Sequence, residues 1–528
     1  MTRWVLAAAL GVAALWSFAN SVSAATFRWA NDADSNSMDP YARQETFLLS
    51  FDSNIYEPLV RRDKDLKLEP ALALSWSQTE QTVWRFKLRQ GVKFQDGTPF
   101  SADDVLFSFE RVRDTGSNLK SVVATVKEVR KVDDFTIDFV TNGPDPILPD
   151  EFTVWGMMSK SWCEKNNAAR PADLTKNEES YATNHANGTG PFILKAREPD
   201  VKTELVNNPD WWDKPLHNLT DVIFERVATP STRVAALLSG DLDMIYTVPP
   251  QDTDRIANAK GFRIIQGPEL RTIYLGFDQS RPELTESNVK GKNPFKDQRV
   301  RQAFYQAIDE DAIKTKVMRG YATPTALMVG AGISGFSEEL NKRFPYDPEA
   351  AKKLLADAGY PNGFEVGLDC PNDRYINDEQ ICNAVIAMLA RVGVTVKPII
   401  QPRIKFFAKV LAPSFNTSFY LLGWTPATYD AHNMLINLVH SRDAKTHAGD
   451  NNLGGYSNPA IDQLIEQIQV ETDAKRRLEE MHSALKMVKD DFAYIPLHQQ
   501  VLVWAAKSNI ELVQPADDYF PLRYVNVK

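Results

Sequence analysis

Between Leu68 and Val112 the apolar positions change their period twice. Leu68 to Trp76 is an apolar run with Glu69, Pro70 and Ser75 set among alanines and leucines. From Val83 to Arg89, Trp84, Phe86 and Leu88 alternate with Arg85, Lys87 and Arg89, the period-2 pattern of a strand with one buried face. Asp96-Gly97, with Pro99 two residues on, is turn chemistry. Ser101 then stands at an N-cap position, Asp104 falls at the third helical place, and Val105, Phe109 and Val112 make one stripe at helical spacing. The stretch predicts strand, tight turn and capped helix.

The same reading extends along the chain. It predicts a strand over Thr26 to Ala30, a turn at Ser37 to Pro40, a helix through Thr46 to Tyr56, and strands at Pro191 to Lys195 and Lys202 to Asn207. A helix over Thr232 to Ser239 ends at Gly240, and a strand containing Tyr274 to Phe277 leads into a polar link, Ser280 to Lys292. Further on, Asp347-Pro348 opens a helix that Gly359 closes, with Ala351, Leu354, Leu355 and Ala358 as its stripe. Strand Phe364 to Leu368, helix Asp378 to Val392, strand Val394 to Ile400, helix Arg403 to Leu411 and strand Ser418 to Gly423 follow. Such alternation predicts a mostly parallel sheet in an α/β lobe. Helices from Asn458 and Asp473 and a strand over Tyr494 to Ala505 complete the pattern.

Composition narrows the class of protein. Residues 1–24 read as a cleaved secretory signal, with Arg3 as the one charged side chain, a short apolar run and Val22-Ser23-Ala24 before a cut near Ala24/Ala25. The expectation is a free periplasmic protein. The remaining 504 residues exceed what one core holds and predict two or three domains. They carry 59 basic and 69 acidic side chains, without a Lys/Arg run, which argues against nucleic-acid or anionic-membrane binding. Of Cys163, Cys370 and Cys382, at least one thiol stays free; in an oxidising compartment Cys370 and Cys382 are either bridged or two buried free thiols.

Several apparent motifs carry no chemistry. Gly330 to Gly335 satisfies G-x-G-x-x-G, but no helix follows and Pro345 cuts the segment short, so a turn is the better reading. No P-loop, H-E-x-x-H or G-x-S-x-G occurs. Asp430, His432 and His440 do not make a metal site, because positions i and i+2 of a helix point to different sides. No cofactor and no metal are expected, and no acid, base and nucleophile stand in a recognisable spacing.

The stretch EPALALSWSQTEQTVWRFKLRQGVKFQDGTPFSADDVLFSFERV closely resembles the signature of the family 5 periplasmic solute-binding proteins that serve dipeptide and oligopeptide ABC importers. The likeness continues at GTGPF (Gly188 to Phe192), NNPDWWDKP (Asn207 to Pro215), NPFKDQRVRQAFYQAID (Asn293 to Asp309) and GGYSNPAID (Gly454 to Asp462). The resemblance implies an α/β, type II periplasmic-binding-protein fold with three domains in two lobes, a hinge and an interlobe cleft. It implies a first domain of residues 25–58, 184–280 and 500–528, a second of 59–183 and a third of 281–499. It further implies a non-catalytic monomer that takes a small molecule or short peptide and hands it to an inner-membrane ABC permease. Opines, oligosaccharides and metal chelates are alternative ligands in the same fold, and a hydrolase or a sensory receptor is the alternative of another class.

Residues just past the carboxyl end of a strand in an open α/β sheet face the crevice, which points to Gly423 to Asp430. In the family this loop resembles the one whose aspartate pairs with a peptide's amino terminus; the matching residue here is Ala427, and the nearest acid is Asp430. Trp424 and Tyr429 offer stacking area, with Thr425 beside them. The arginine that the resemblance places at the next helix start is missing, since that start reads Asp378-Glu379-Gln380; Arg374 and Arg403 are the candidates to replace it, Arg374 alternatively pairing with Asp373. Tyr274 and Phe47 complete the candidate ligand-binding set, whereas Trp211-Trp212 reads as core.

Overall fold

Two long strands, Phe262–Phe277 and Tyr494–Lys507, pair antiparallel from Phe262 opposite Lys507 to Gly276 opposite Tyr494. They belong to the computed structural model of residues 25–528; the expected signal segment lies outside the described residues. Their ladder is irregular between Pro268 and Thr272, where proline contributes no N–H and the charged Glu269 and Arg271 enter the strand. On one side of this break the sheet continues through Met244–Ile245, Ala25–Asn31, Leu219–Arg226, Lys202–Asn207 and Phe192–Glu198. On the other it continues through Phe419–Trp424, Glu365–Pro371 and Thr395–Gln401. With the short strand Ala322–Pro324, which pairs with Tyr494–Lys507 off this path, one eleven-stranded sheet carries two lobes, and the two long strands are the crossing segments between them.

Strand alternation sorts the cores. Ile273, Leu275, Phe277, Phe419 and Leu421 enter the core on one face of the second lobe's sheet, while Tyr274, Tyr420 and Leu422 enter the core on the other. In the first lobe Trp29, Trp504 and Ala506 face one core and Ala30, Val503 and Ala505 the opposite one. Glu365–Pro371 pairs parallel with Thr395–Gln401 and with Phe419–Trp424, as the alternating pattern predicts. The crossing strands are antiparallel instead, because the chain enters and leaves the second lobe through the same edge.

A separate antiparallel sheet holds the stretch that opened the sequence reading, in the order Ala73–Glu80, Val83–Leu88, Thr136–Thr141, Val126–Asp133. Helix Ala102–Val112 carries the expected capping box: Ser101 Oγ accepts from the Asp103 amide, and the Ser101 amide donates to Asp104. Helix Pro348–Asp357 begins at an Asp347 cap, and Gly359 beyond it has φ +91°. The helix from Thr46 stops at Asp52, short of the expected Tyr56, where the Asn54 side-chain Nδ2 donates to the carbonyls of Ser50, Phe51 and Phe520. Gly330 to Gly335 is loop, with Gly332 and Gly335 at positive φ. Cys370 and Cys382 are disulfide-bonded with Cα atoms 6.6 Å apart, and Cys163 is a buried free thiol. No helix of the described residues is long and apolar enough to cross a membrane.

Two of the quoted motifs meet on a single carboxylate. Glu57 accepts from both indoles of Trp211 and Trp212, at 3.2 and 2.6 Å, and from the Thr189 hydroxyl at 2.9 Å. Gly188 and Gly190 flank that threonine because their backbone runs against the Ile55 carbonyl: a Cβ at Gly188 would lie 2.0 Å from it. Gly188→Ala therefore forces backbone to move and should lower stability by about 1 to 3 kcal/mol. Chemical denaturation checks this; an unchanged midpoint would contradict the close-approach account.

Candidate functional site

Where the lobes meet at the break in the crossing strands, a cavity of about 290 Å³ opens. Arg271 and Gln500 of the two crossing strands line it, and beneath them Arg271 is ion-paired with the enclosed Glu269. Arg271 Nη1 lies 2.7 Å from Glu269 Oε1, and both side chains are buried. Gln500 of the other crossing strand donates to Glu269 Oε2 at 2.9 Å and accepts from the Ile376 amide at 3.3 Å. Arg271 also reaches Thr46 Oγ1 at 3.4 Å, so this cluster touches the first helix of one lobe and a loop of the other.

That loop, residues 371–377, holds Arg374. Asp378 fixes it by accepting from the amides of Arg374, Tyr375 and Glu379 at 2.9 to 3.0 Å. Burial pushes the Asp378 carboxyl up to about 6 against those three donors. The Arg374 guanidinium lies over the Tyr375 ring and meets Glu45, across the cleft, only at 3.9 Å. Asp373 is not its partner, contrary to the alternative weighed from sequence; Asp373 instead accepts from the Arg403 amide at 2.6 Å. The Arg403 guanidinium has no acid within 4 Å among the described residues, and its side chain lines the cavity. Two cations of the second lobe thus face a first-lobe wall that includes Phe47 and Tyr246. Phe47 packs there on Trp29, Phe51 and Phe224.

Of the eight candidate ligand residues, Phe47, Arg374 and Arg403 line this cavity; the other five do not. Tyr274 is fully buried under the far face of the sheet, edge-on to Tyr420 and Tyr494, because strand parity turns it away from the cleft. Asp430 is held by Arg477 in a bidentate pair at 2.6 and 2.9 Å and caps the His432 amide, leaving it 4% exposed. Trp424 is half-buried on the helix-covered core, and the Thr425 hydroxyl beside it is enclosed. Tyr429 joins the lobes elsewhere: its hydroxyl donates to Asp517 at 2.6 Å, and Arg62 stacks on its ring at 4.0 Å while donating to the Thr428 carbonyl. Tyr429, Arg62 and Asp517 border a smaller cavity of about 110 Å³.

The sequence reading missed Glu269, Arg271, Gln500 and Asp518. One signal was available for the first two, since Pro268-Glu269-Leu270-Arg271 sets two charges inside a strand-length run that is otherwise mostly apolar.

The family model for bacterial extracellular solute-binding proteins, family 5 Middle, matches residues 67–446. The chain belongs to this family of solute-binding proteins, and its α/β fold is of the type II periplasmic-binding-protein kind. The glutathione-binding protein GsiB of Escherichia coli O157:H7 is 26% identical over 512 residues, covering 95% of this chain and 94% of that protein. Two solved structures share the fold at TM-score 0.81. DppA of Helicobacter pylori, in complex with peptide STSA, is 24% identical over 96% of this chain and 98% of its own. AppA of Bacillus subtilis, in complex with a nonapeptide, is 20% identical over 96% and 99%.

Since Asp430 neutralises a buried arginine, Asp430→Asn should act on folding. Leaving Arg477 without its counter-charge is expected to cost roughly 3 kcal/mol of stability. Denaturant titration without solute measures this, and a full-stability variant with lost solute affinity would return Asp430 to the binding site.

Proposed function

We propose that this protein is the periplasmic substrate-binding component of an ABC importer, capturing a short peptide or peptide-like solute in the 290 Å³ cavity and delivering it to an inner-membrane permease. The observation that carries this reading is the pair of second-lobe arginines that line the cavity, Arg374 with one acid within 4 Å, Glu45 across the cleft at 3.9 Å, and Arg403 with none among the described residues. A planar guanidinium suits a carboxylate, which it meets with two parallel hydrogen bonds. The volume favours a solute of a few residues, lying at the lower end of ordinary small-molecule sites. Peptide binders among the relatives support the class: GsiB is named for glutathione, and DppA and AppA hold peptides.

The mechanism follows from the crossing strands. Only a closed arrangement lets a solute touch both lobes, so binding shifts an open–closed equilibrium in favour of the closed form. The domain division expected from sequence, with the third domain beginning at residue 281 and ending at residue 499, belongs to the same proposal; the break at Pro268 to Thr272 would set one crossing somewhat earlier. The protein acts as a non-catalytic monomer, exported by its amino-terminal segment.

Solute retained from the native periplasm, identified by mass spectrometry and returned to the stripped protein, supplies the test. Arg374→Gln should weaken its binding by roughly 30- to 1000-fold in calorimetry, the loss of a charge-assisted contact in a poorly hydrated cleft. X-ray scattering of the wild type should show a smaller radius of gyration with solute. Wild-type affinity in the variant, or an unchanged scattering profile at saturation, would defeat the reading.

A further inference from the structure

The acids around the cavity differ in what already binds them. Glu269 is engaged by Arg271 and Gln500, Asp378 by three amides, Asp373 by the Arg403 amide, and Glu45 by the Leu48 amide. Asp518 also lines the cavity, and among the described residues no donor hydrogen-bonds its carboxyl group and no cation lies within 4 Å of it; its Oδ1 is enclosed without a partner. Asp32, at the same cavity, is likewise unbonded, but its oxygens are not enclosed in this way. An enclosed carboxyl oxygen left without a donor is costly, and a ligand donor is one way that such a cost is offset.

Its position is fixed by its neighbours. Asp517 accepts from the Tyr429 hydroxyl of the other lobe and from the Tyr519 amide, while the Asp518 amide donates to the Pro515 carbonyl. Asp518 has φ +64°, a conformation that aspartate and asparagine tolerate better than most residues.

We propose that Asp518 receives a protonated amine of the solute while Arg374 receives its carboxylate, so that the cavity selects zwitterions. The inference rests on the cavity being the solute site. Burial and the neighbouring Glu269 push the Asp518 carboxyl well above the usual carboxylate range, against the pull of Arg271 and Arg374. Asp517 and Tyr246 are its other charged or titratable neighbours, and the cavity it shares is also lined by Asp32, Glu45, Arg233, Asp373, Tyr375, Arg403 and Asp378, the last titrating at about 6 in both the wild type and an Asp518 variant. The sign of the coupling follows. Without solute the carboxyl holds its proton up to that raised value; an ammonium brought against it stabilises the carboxylate, and the displaced proton leaves to solvent. Affinity is therefore full above the raised value and weakens as pH falls below it, where the proton competes with the amine.

Native mass spectrometry of the stripped protein against a mixed tripeptide pool, and against the same pool N-acetylated, tests this on the wild type without any variant. The free pool should be retained in preference by roughly 30-fold or more. Asp518→Asn, which suits the same backbone conformation, should abolish the preference while keeping or raising the thermal midpoint. Calorimetry with the best-retained free peptide, repeated at stepwise lower pH in buffers of different ionisation enthalpy, should show proton release that grows as pH falls for the wild type and a smaller, unchanging release for the variant. Equal retention of both pools by the wild type, or a preference that survives in Asp518→Asn, overturns the inference and leaves the peptide reading standing. Retention of neither pool overturns both.

Discussion

The constraint on which the molecule turns is the antiparallel pairing of Phe262–Phe277 with Tyr494–Lys507. A single ladder gives two lobes a common sheet, and its register shifts twice, between Pro268 and Thr272 and again between Ile273 and Tyr274. Regular sheet would be closed to a solute there. The missing proline N–H and the loss of register instead let Glu269 and Arg271 leave the apolar pattern, pair with one another, and make a buried polar contact that reaches Gln500 on the other crossing strand and Thr46 in the first lobe. A buried pair of this kind adds little net stability, since desolvation opposes its attraction. What it provides is a fixed, charged surface at the place where the lobes move.

Much of the fold was legible because it is written locally. The Ser101 cap, the Asp347 start and Gly359 stop, and the period changes near Val83 and Ala102 each depend on residues within one element. The motifs Gly188 to Phe192 and Asn207 to Pro215 were legible as a likeness, yet their cause is tertiary: Thr189, Trp211 and Trp212 converge on Glu57 from distant parts of the chain. The cysteine pairing stayed open for the same reason, as twelve residues of separation fit a bridge without requiring one.

The candidate site was legible only in part. The rule that ligands sit past strand ends selected the loop from Gly423 to Asp430, and that loop does approach the other lobe, but through Tyr429 and Thr428 at a smaller cavity. Nothing near Asp430 in sequence announces Arg477, forty-seven residues on, which claims its carboxylate. Tyr274 shows the complementary difficulty, for a strand position does not say which face looks into the cleft. Arg374 and Arg403 were reached through the family resemblance, as replacements for an arginine missing from the helix start at Asp378, and Asp518 was invisible because its importance lies in the partners it lacks.

On the proposed reading, recognition belongs to the space between the lobes, bounded by Arg271 and Gln500 of the crossing strands, by Arg374 and Arg403 of the second lobe and by Phe47, Tyr246 and Asp518 of the first. A crystal structure of protein purified from the native periplasm without denaturation tests that most directly. The expected result is density for a small solute in this cavity, within hydrogen-bond distance of Arg374 and in contact with the first lobe. Density that touches one lobe alone, or that lies in the smaller cavity beside Tyr429, would contradict it.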